Sequence, residues 1–175
     1  DLLRQGKILA IKGLGGFHLA CDAANPEAVL ELRRRKLRVD KPFAVMVATA
    51  DQAAQHCWIS PLEREIPERR ERPIVVLRRR EDSSIAEQVA PAQSTIGIML
   101  PYTPLHYLLF ANPEANPPVF DMPPLVMTSG NLSEEPICTG NDEARQRLAP
   151  LADAFLLHNR DIHVRCDDTV TRFFD

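Results

Sequence analysis

The run Pro124-Leu125-Val126-Met127 is apolar, too short for a helix, and ends in the uncharged turn Thr128-Ser129-Gly130-Asn131. An apolar run of that length bounded by turn residues reads as a buried strand, and a strand buried on both faces needs a sheet with helices packed against it. Ligands of open α/β sheets sit beyond the carboxyl ends of such strands. This end carries a hydroxyl at Ser129, a carboxamide at Asn131, and at Gly130 a backbone free to take positive φ or to approach a neighbour closely. Thr128, Ser129, Gly130 and Asn131 are therefore candidates to bind phosphate oxygens or a small acyl group. The competing reading is a Ser/Asn turn that only ends a strand.

The same punctuation recurs along the chain. Lys7 to Lys12, Phe43 to Ala48, Pro73 to Leu77 and Thr95 to Leu100 read as strands, with a further apolar stretch from Phe17 to Cys21. Helices are expected from Pro26 to about Lys36, with Asn25 as N-cap, and after Thr49 and Ser60, each followed three residues later by Gln52 or Glu63. Two more are expected from Thr103-Pro104 to about Ala111, and from a capping Asn141 to near Pro150. Residues 81–93 read as loop, and the five prolines between Asn112 and Pro124 argue against regular structure there. Three short strands fit Ala154 to His158, Ile162 to Cys166 and Thr169 to Phe174. The pattern predicts an α/β chain, a twisted mixed sheet with flanking helices, forming a single domain over residues 1–175.

Bulk properties set limits. With 175 residues and 45% hydrophobic content the chain can bury a full core. It has no apolar window long enough to span a membrane and no signal peptide, and Cys21, Cys57, Cys138 and Cys166 show no paired spacing. Reduced thiols in a cytoplasmic protein are expected, with Cys138 as the exposed one. The opening at Asp1 and the end at Asp175, in mid-strand by pattern, suggest a domain of a longer polypeptide.

Net charge is −3, yet six cations and one acid fall between Arg33 and Pro42. The first arginines suit the end of a solvated helix, where cations favour the macrodipole. Lys36, Arg38 and Lys41 lie where the helix gives way before Pro42, and a basic loop at a sheet edge concentrates anions. Gly13, Gly15 and Gly16 fit neither a Walker loop nor GxGxxG and imply a tight turn. His18-x-x-Cys21, His56-Cys57 and His163-x-x-Cys166 lie on predicted strands, where zinc ligands would have to share a face, so no metal site is assigned. Ser129 lacks a nucleophile elbow and reads as a binding group. The charged run from His158 to Thr169 is either a surface ion-pair ladder or a Mg²⁺ and phosphate site, with Arg160 or Arg165 on phosphate oxygens.

Together these residues carry a resemblance. Lys36-x-Arg38, Lys41-Pro42-Phe43-Ala44-Val45-Met46 and Thr128-Ser129-Gly130-Asn131-Leu132-Ser133-x-x-Pro136 resemble, in that order, the K-x-R and S-x-N signatures of the YrdC family. The opening Ile11 to Ala23 and the closing Arg165-Cys166-Asp167-Asp168-Thr169-Val170 are similar to the YrdC-like domain of HypF-type carbamoyltransferases that mature [NiFe] hydrogenases. The resemblance covers nearly the whole chain. It implies a large basic concave face that binds ATP and joins a carbamoyl group to AMP with release of pyrophosphate; the cofactors expected are ATP and Mg²⁺, and the acyl donor is carbamate or carbamoyl phosphate. The resemblance maps Lys36, Arg38, Ser129 and Asn131 to the nucleotide and acyl site; Lys41 joins them as a candidate for the chemistry, and Lys12, Gly13, His18, Thr128, Gly130, Arg160, Arg165, Asp168 and Thr169 are candidates for nucleotide and acyl binding.

The threonylcarbamoyl-adenylate branch opens with Pro-Thr-x-Thr-x-Tyr-Gly where this chain has Lys12-Gly13-Leu14-Gly15-Gly16-Phe17-His18. The resemblance therefore points to a small anionic acyl donor without an amino-acid side chain. Onward transfer to a HypE-like acceptor protein requires domains that this chain does not contain. The rival partner is double-stranded RNA or tRNA, which composition disfavours: the charge is negative, and Trp58, Tyr102 and Tyr107 do not interleave with the basic run.

Overall fold

The structure, a computed structural model, describes residues 1–112, 115, 119–132 and 135–173. Its main elements, in chain order, are β1 (Leu9–Lys12), β2 (Phe17–Asp22), α1 (Pro26–Lys36), β3 (Ala44–Met46), α2 (Ala50–His56), β4 (Cys57–Trp58), α3 (Pro61–Glu65) and β5 (Ile74–Arg79), then β6 (Thr95–Met99), α4 (Pro104–Phe110), β7 (Ala111–Asn112), β8 (Val119–Phe120), β9 (Leu125–Ser129), α5 (Asn141–Arg147), β10 (Ala154–Leu156) and β11 (Val170–Thr171). Eight strands lie in the order β10-β1-β2-β9-β3-β6-β5-β11, with β4 alongside β5. The β1–β10, β3–β6 and β5–β11 pairs are parallel and the rest antiparallel, so the sheet is mixed as expected.

Alternation along the strands feeds two cores. Phe17, Leu19, Val45, Val75, Ile98 and Val126 face α1, whose Val29 and Leu32 are fully buried, while Ile11, Ala20, Met46, Leu125 and Met127 face Phe110 of α4. Burial on both faces explains why these strands read as continuous apolar runs. The helix starts obey local chemistry. Asn25 Oδ1 accepts from the N–H groups of Glu27 and Ala28, Thr49 and Thr103 cap α2 and α4, and Ser60 with Glu63 closes a capping box at α3.

Several expectations are corrected. Asn141 is the first residue of α5 rather than its cap; Glu143 accepts from the N–H groups of Thr139 and Gly140, and the helix ends at Arg147. The proline-rich stretch holds a two-residue antiparallel pair, Ala111–Asn112 with Val119–Phe120; residues 113–114 and 116–118 lie outside the described residues. No strand forms from Ile162 to Cys166, and the final one is only Val170–Thr171, with Phe174 outside the described residues. The cause is topological. The thirteen residues 157–169 must pass from β10 at one edge of the sheet to β11 at the other. Seven strand spacings of about 4.8 Å amount to roughly 34 Å along a flat sheet, against a reach of about 43 Å for thirteen residues, which leaves little chain for regular structure. No helix among the described residues is long and apolar enough to cross a membrane.

Candidate functional site

The antiparallel β2–β9 register sets His18 opposite Ser129, and the β1–β2 register sets Lys12 opposite Phe17, so the ends of β1 and β9 and the start of β2 share one border of the sheet. β3 runs against β9, pairing Ala44 with Met127 and Met46 with Leu125. It therefore brings its amino end to this border, with Lys41, Pro42 and Phe43, and its carboxyl end points away. The rule that places ligands beyond the carboxyl ends of strands therefore holds at this border for β1 and β9 but not for β3.

α1 ends with Leu37 in the left-handed region, φ 54°, which turns the chain back toward the border. Lys36, 2% exposed, donates from Nζ to Ser129 O and Asn131 O, both at 2.7 Å, and to Asn131 Oδ1 at 3.0 Å. Burial, then repulsion from Arg38 and Lys41, lowers its pKa to about 8, with Asp167 opposing. Ser129 Oγ donates to the same Asn131 Oδ1 at 2.7 Å. Gly130 admits no side chain, because a Cβ there would lie 2.6 Å from Phe17 Cβ and O while its N–H donates to Phe17 O. Close backbone approach, not positive φ, is what Gly130 supplies.

Arg38 is half-buried over the Phe43 ring, at 4.7 Å, and donates to Thr128 Oγ1 at 3.1 Å, Lys41 O at 3.0 Å and Pro42 O. Burial and the neighbouring Arg33 bring its pKa down to about 10. The expectation that the first arginines only decorate a helix end fails for Arg33. It is buried, packs on the Phe43 ring at 4.6 Å, and donates to the carbonyls of Gln88, Val89, Arg38, Val39 and Lys41. Arg33 thus shapes the loop that presents Arg38 and the exposed Lys41. Arg34 and Arg35 pair with Glu31. With Arg33 and Lys36 buried on backbone carbonyls, the basic run does not spread as one exposed cationic surface.

The other half of the site lies on the α4 face of the sheet. His18, 8% exposed, meets Asp168 Oδ2 through Nε2 at 3.1 Å, and Tyr102 OH donates to Asp168 Oδ1 at 3.0 Å. Burial pushes the Asp168 carboxyl up, but the His18 and Tyr102 hydrogen bonds outweigh it and hold the carboxyl below its ordinary value. Tyr102 is pushed well above its usual value by burial and by Asp168. His106, fully buried and edge-on to Tyr102 at 4.6 Å, is driven down to about 3 by burial and by His18, so it is neutral. A cleft of about 220 Å³ opens against these groups, lined by Leu14 to His18, Arg70, Glu71, Tyr102, Ser129, Ile137 and Cys166 to Thr169. Ser129 belongs to both halves.

The remaining expected residues are placed less centrally. The Lys12 ammonium is buried on His158 O at 3.2 Å. Gly13 N–H closes the glycine turn onto Gly16 O at 2.8 Å. Arg165 Nε donates to Ile137 O at 2.9 Å, Arg160 is exposed, and Thr169 O accepts from Ile74 N. Asp168 is not part of a surface ion-pair ladder, since each of its oxygens accepts from a part-buried partner, His18 or Tyr102. No group of three or more His, Cys, Asp or Glu is arranged to hold a metal among the described residues, so a Mg²⁺ here would rely mainly on phosphate and water oxygens. Cys138 is buried, and the exposed thiol is Cys166, over Gly15. The chain reading also passed over Tyr102, Arg70 and Ile137. Tyr102 precedes a clear N-cap but carries no local sign of its partner 66 residues away. Ser133 and Glu134 of the S-x-N stretch lie outside the described residues.

The Sua5_yciO_yrdC family model, described as "Telomere recombination", matches residues 1–175. Carbamoyltransferase HypF2 of Cupriavidus necator is 55% identical over 178 residues, covering 97% of this chain and 22% of that protein. The crystal structure of full-length HypF in the phosphate- and nucleotide-bound form is 50% identical, with a TM-score of 0.88 over 98% of this chain and 26% of that one. T. kodakarensis HypF is 46% identical, with a TM-score of 0.91 over 99% of this chain and 22% of that one. The chain spans about a fifth of the length of the curated relatives it matches.

Proposed function

The chain belongs to the Sua5_yciO_yrdC family, and on that premise we propose that it forms carbamoyl-adenylate from carbamate and ATP as one part of a HypF-type carbamoyltransferase. The observation that carries this reading is the Lys36 ammonium, buried and bound to the Ser129–Asn131 turn, with Arg38 and Lys41 beside it. A positive field fixed under an uncharged turn suits phosphoryl chemistry, where negative charge moves onto the α-phosphate and the leaving pyrophosphate. A carbamate oxygen attacks the α-phosphorus, the bond to the β-phosphate bridging oxygen breaks, and pyrophosphate leaves with the electron pair. No protein nucleophile is required.

The side chains divide the work. Lys36 spends its N–H groups on the turn, so it acts by holding Ser129 and Asn131 in place and by its charge. Arg38 keeps N–H donors in reserve beyond those it gives to Thr128 and the loop carbonyls, and Lys41 is exposed at the same border; these two are the groups that would meet phosphate oxygens. Mg²⁺ would add charge neutralisation on the phosphates. Support for nucleotide binding comes also from the phosphate- and nucleotide-bound HypF relative. Hydrogenase maturation and delivery to a HypE-like protein follow only for a longer chain with the remaining domains.

The test is exchange of labelled pyrophosphate into ATP, dependent on carbamate. Exchange lost in Lys36→Met supports the reading, and a parent chain that neither binds ATP nor exchanges it sinks the reading. A gain in thermal stability with duplex RNA but none with ATP and Mg²⁺ would favour the nucleic-acid alternative.

A further inference from the structure

The segment 157–169 crosses the sheet without regular structure and forms one wall of the cleft through Cys166, Asp167, Asp168 and Thr169. Its ends are anchored, with His158 O accepting from Lys12 Nζ and Asn141 Nδ2, Thr169 O accepting from Ile74 N, and Leu157 and Ile162 packed on the core, but its ties across the cleft are few. Cys166 N–H donates to Gly15 O at 3.1 Å, Arg165 Nε donates to Ile137 O, and Asp168 binds His18 and Tyr102. Beyond these, residues 159–161 and 163–167 are exposed. Among the described residues, Asp168 is the one of this segment whose side chain grips two different elements, β2 through His18 and the turn before α4 through Tyr102. The grip is directional: a carboxylate with one donor on each oxygen fixes the His18 ring with its proton on Nε2.

We propose that Asp168 is a latch, joining the crossing segment to His18 and Tyr102, and that its release opens the cleft to admit nucleotide and acyl donor and to let the adenylate out. Tyr102 and Asp168 are on this account positioning residues, acting through the segment and through His18. The proposal rests on reading the cleft as a nucleotide and acyl site. Few buried contacts and exposed backbone hydrogen bonds are the features expected of a segment that opens locally, below the cost of global unfolding. The cation half is built differently, since Arg33 alone ties five carbonyls around Phe43.

Amide hydrogen exchange of the full chain tests this. Without ligand, Tyr102→Phe, which removes one of the two donors, is expected to speed exchange at 159–169 about two- to tenfold while residues 31–41 keep the parent rate. Asp168→Asn is expected to do the same, with a shift of the His18 ring toward a mixture of tautomers seen by nitrogen NMR. ATP with Mg²⁺ is expected to slow the same amides in the parent. Parent-like exchange at 159–169 in both variants overturns the latch, as does a uniform rise across the whole chain. A chain that shows the Tyr102→Phe effect yet never binds ATP in calorimetry leaves the latch standing and defeats the nucleotide reading instead.

Discussion

The two halves of the site are built on opposite principles. In the cation half the polar groups come from one stretch, Arg33 to Phe43, closing on one turn, Ser129 to Asn131, and the charges are held by backbone carbonyls. In the histidine half the side chains come from positions 18, 102, 106 and 168 and hold one another. Carbonyl-held cations leave the net charge uncancelled, so the first half projects a field that an anion can use. In the second half Asp168 is held by hydrogen bonds from His18 and Tyr102, which give local order around a single charge of the opposite sign. One half is suited to electrostatic stabilisation, the other to shape and closure.

The largest expected effect tests that division at its centre. Lys36→Met removes the charge and leaves Ser129 O, Asn131 O and Asn131 Oδ1 without this donor. Pyrophosphate exchange is expected to fall by about two orders of magnitude, whereas His18→Gln, on the other half, is expected to lower it about tenfold. Equal losses in the two variants would erase the distinction between the halves.

Arg38→Ala against Arg34→Ala is next. Arg38 is half-buried on Phe43 and Thr128, so its loss is expected to weaken ATP binding by about 1.5–3 kcal/mol, as for a charge-assisted contact. Arg34 is solvent-exposed on Glu31, and its removal is expected to change ATP affinity by less than about twofold. Matching losses in calorimetric titration would mean that the basic run works as a diffuse field.

A pH series sharpens the same contrast. Lys36 has its pKa lowered from 10.5 to about 8, first by burial and then by Arg38 and Lys41. Between about pH 8 and pH 10.5 the unfolded chain binds more protons at this lysine than the folded one does, so its contribution to stability rises with pH in that window. ATP affinity is expected to move the other way, falling as pH passes about 8 and the charge is lost. Subtracting the Lys36→Met profile isolates both trends, and a parent profile parallel to that variant's would remove Lys36 from the account. Asp168 follows the same sign in an acidic window: its lowered pKa gives stability that is present above 3.8 and lost as pH falls below it.

This contrast also explains what could be read along the chain. Lys36 and Arg38 lie two residues apart at a helix end before Pro42, and Ser129 and Asn131 at a strand end, so each half of that contact has a local signature. Helix caps at Asn25, Thr49 and Ser60 were legible for the same reason. The role of Arg33 was not, because its partners depend on where Gln88 and Val89 pass Phe43. Nor was the direction of β3, since an apolar run of three to six residues looks alike read either way. Tyr102 and His106 carry no pattern that links them to His18, and Asp168 stood out by its charge as a binding candidate without any sign of these two partners. Long-range pairing creates that cluster, and no spacing rule describes it.

The smallest expected effect concerns the thiols, where burial reversed the sequence expectation. Cys21 and Cys138 are buried with raised pKa values, Cys57 is pushed up to about 12 by burial, and Cys166 is exposed on the crossing segment. A thiolate reagent is therefore expected to modify Cys166 much faster than the other three. No step of the proposed chemistry uses sulfur, so Cys166→Ser and Cys138→Ser are each expected to leave pyrophosphate exchange within about twofold of the parent. Bulk at this position is another matter, because Cys166 Sγ stands 2.1 Å from where a Gly15 Cβ would lie, with no room between segment and turn. Modification by a large maleimide is expected to hold the segment off Gly15 and to slow exchange even though the serine variant does not. Inactivation by Cys166→Ser itself would bring sulfur into the reaction and end the account of Cys166 as part of a wall.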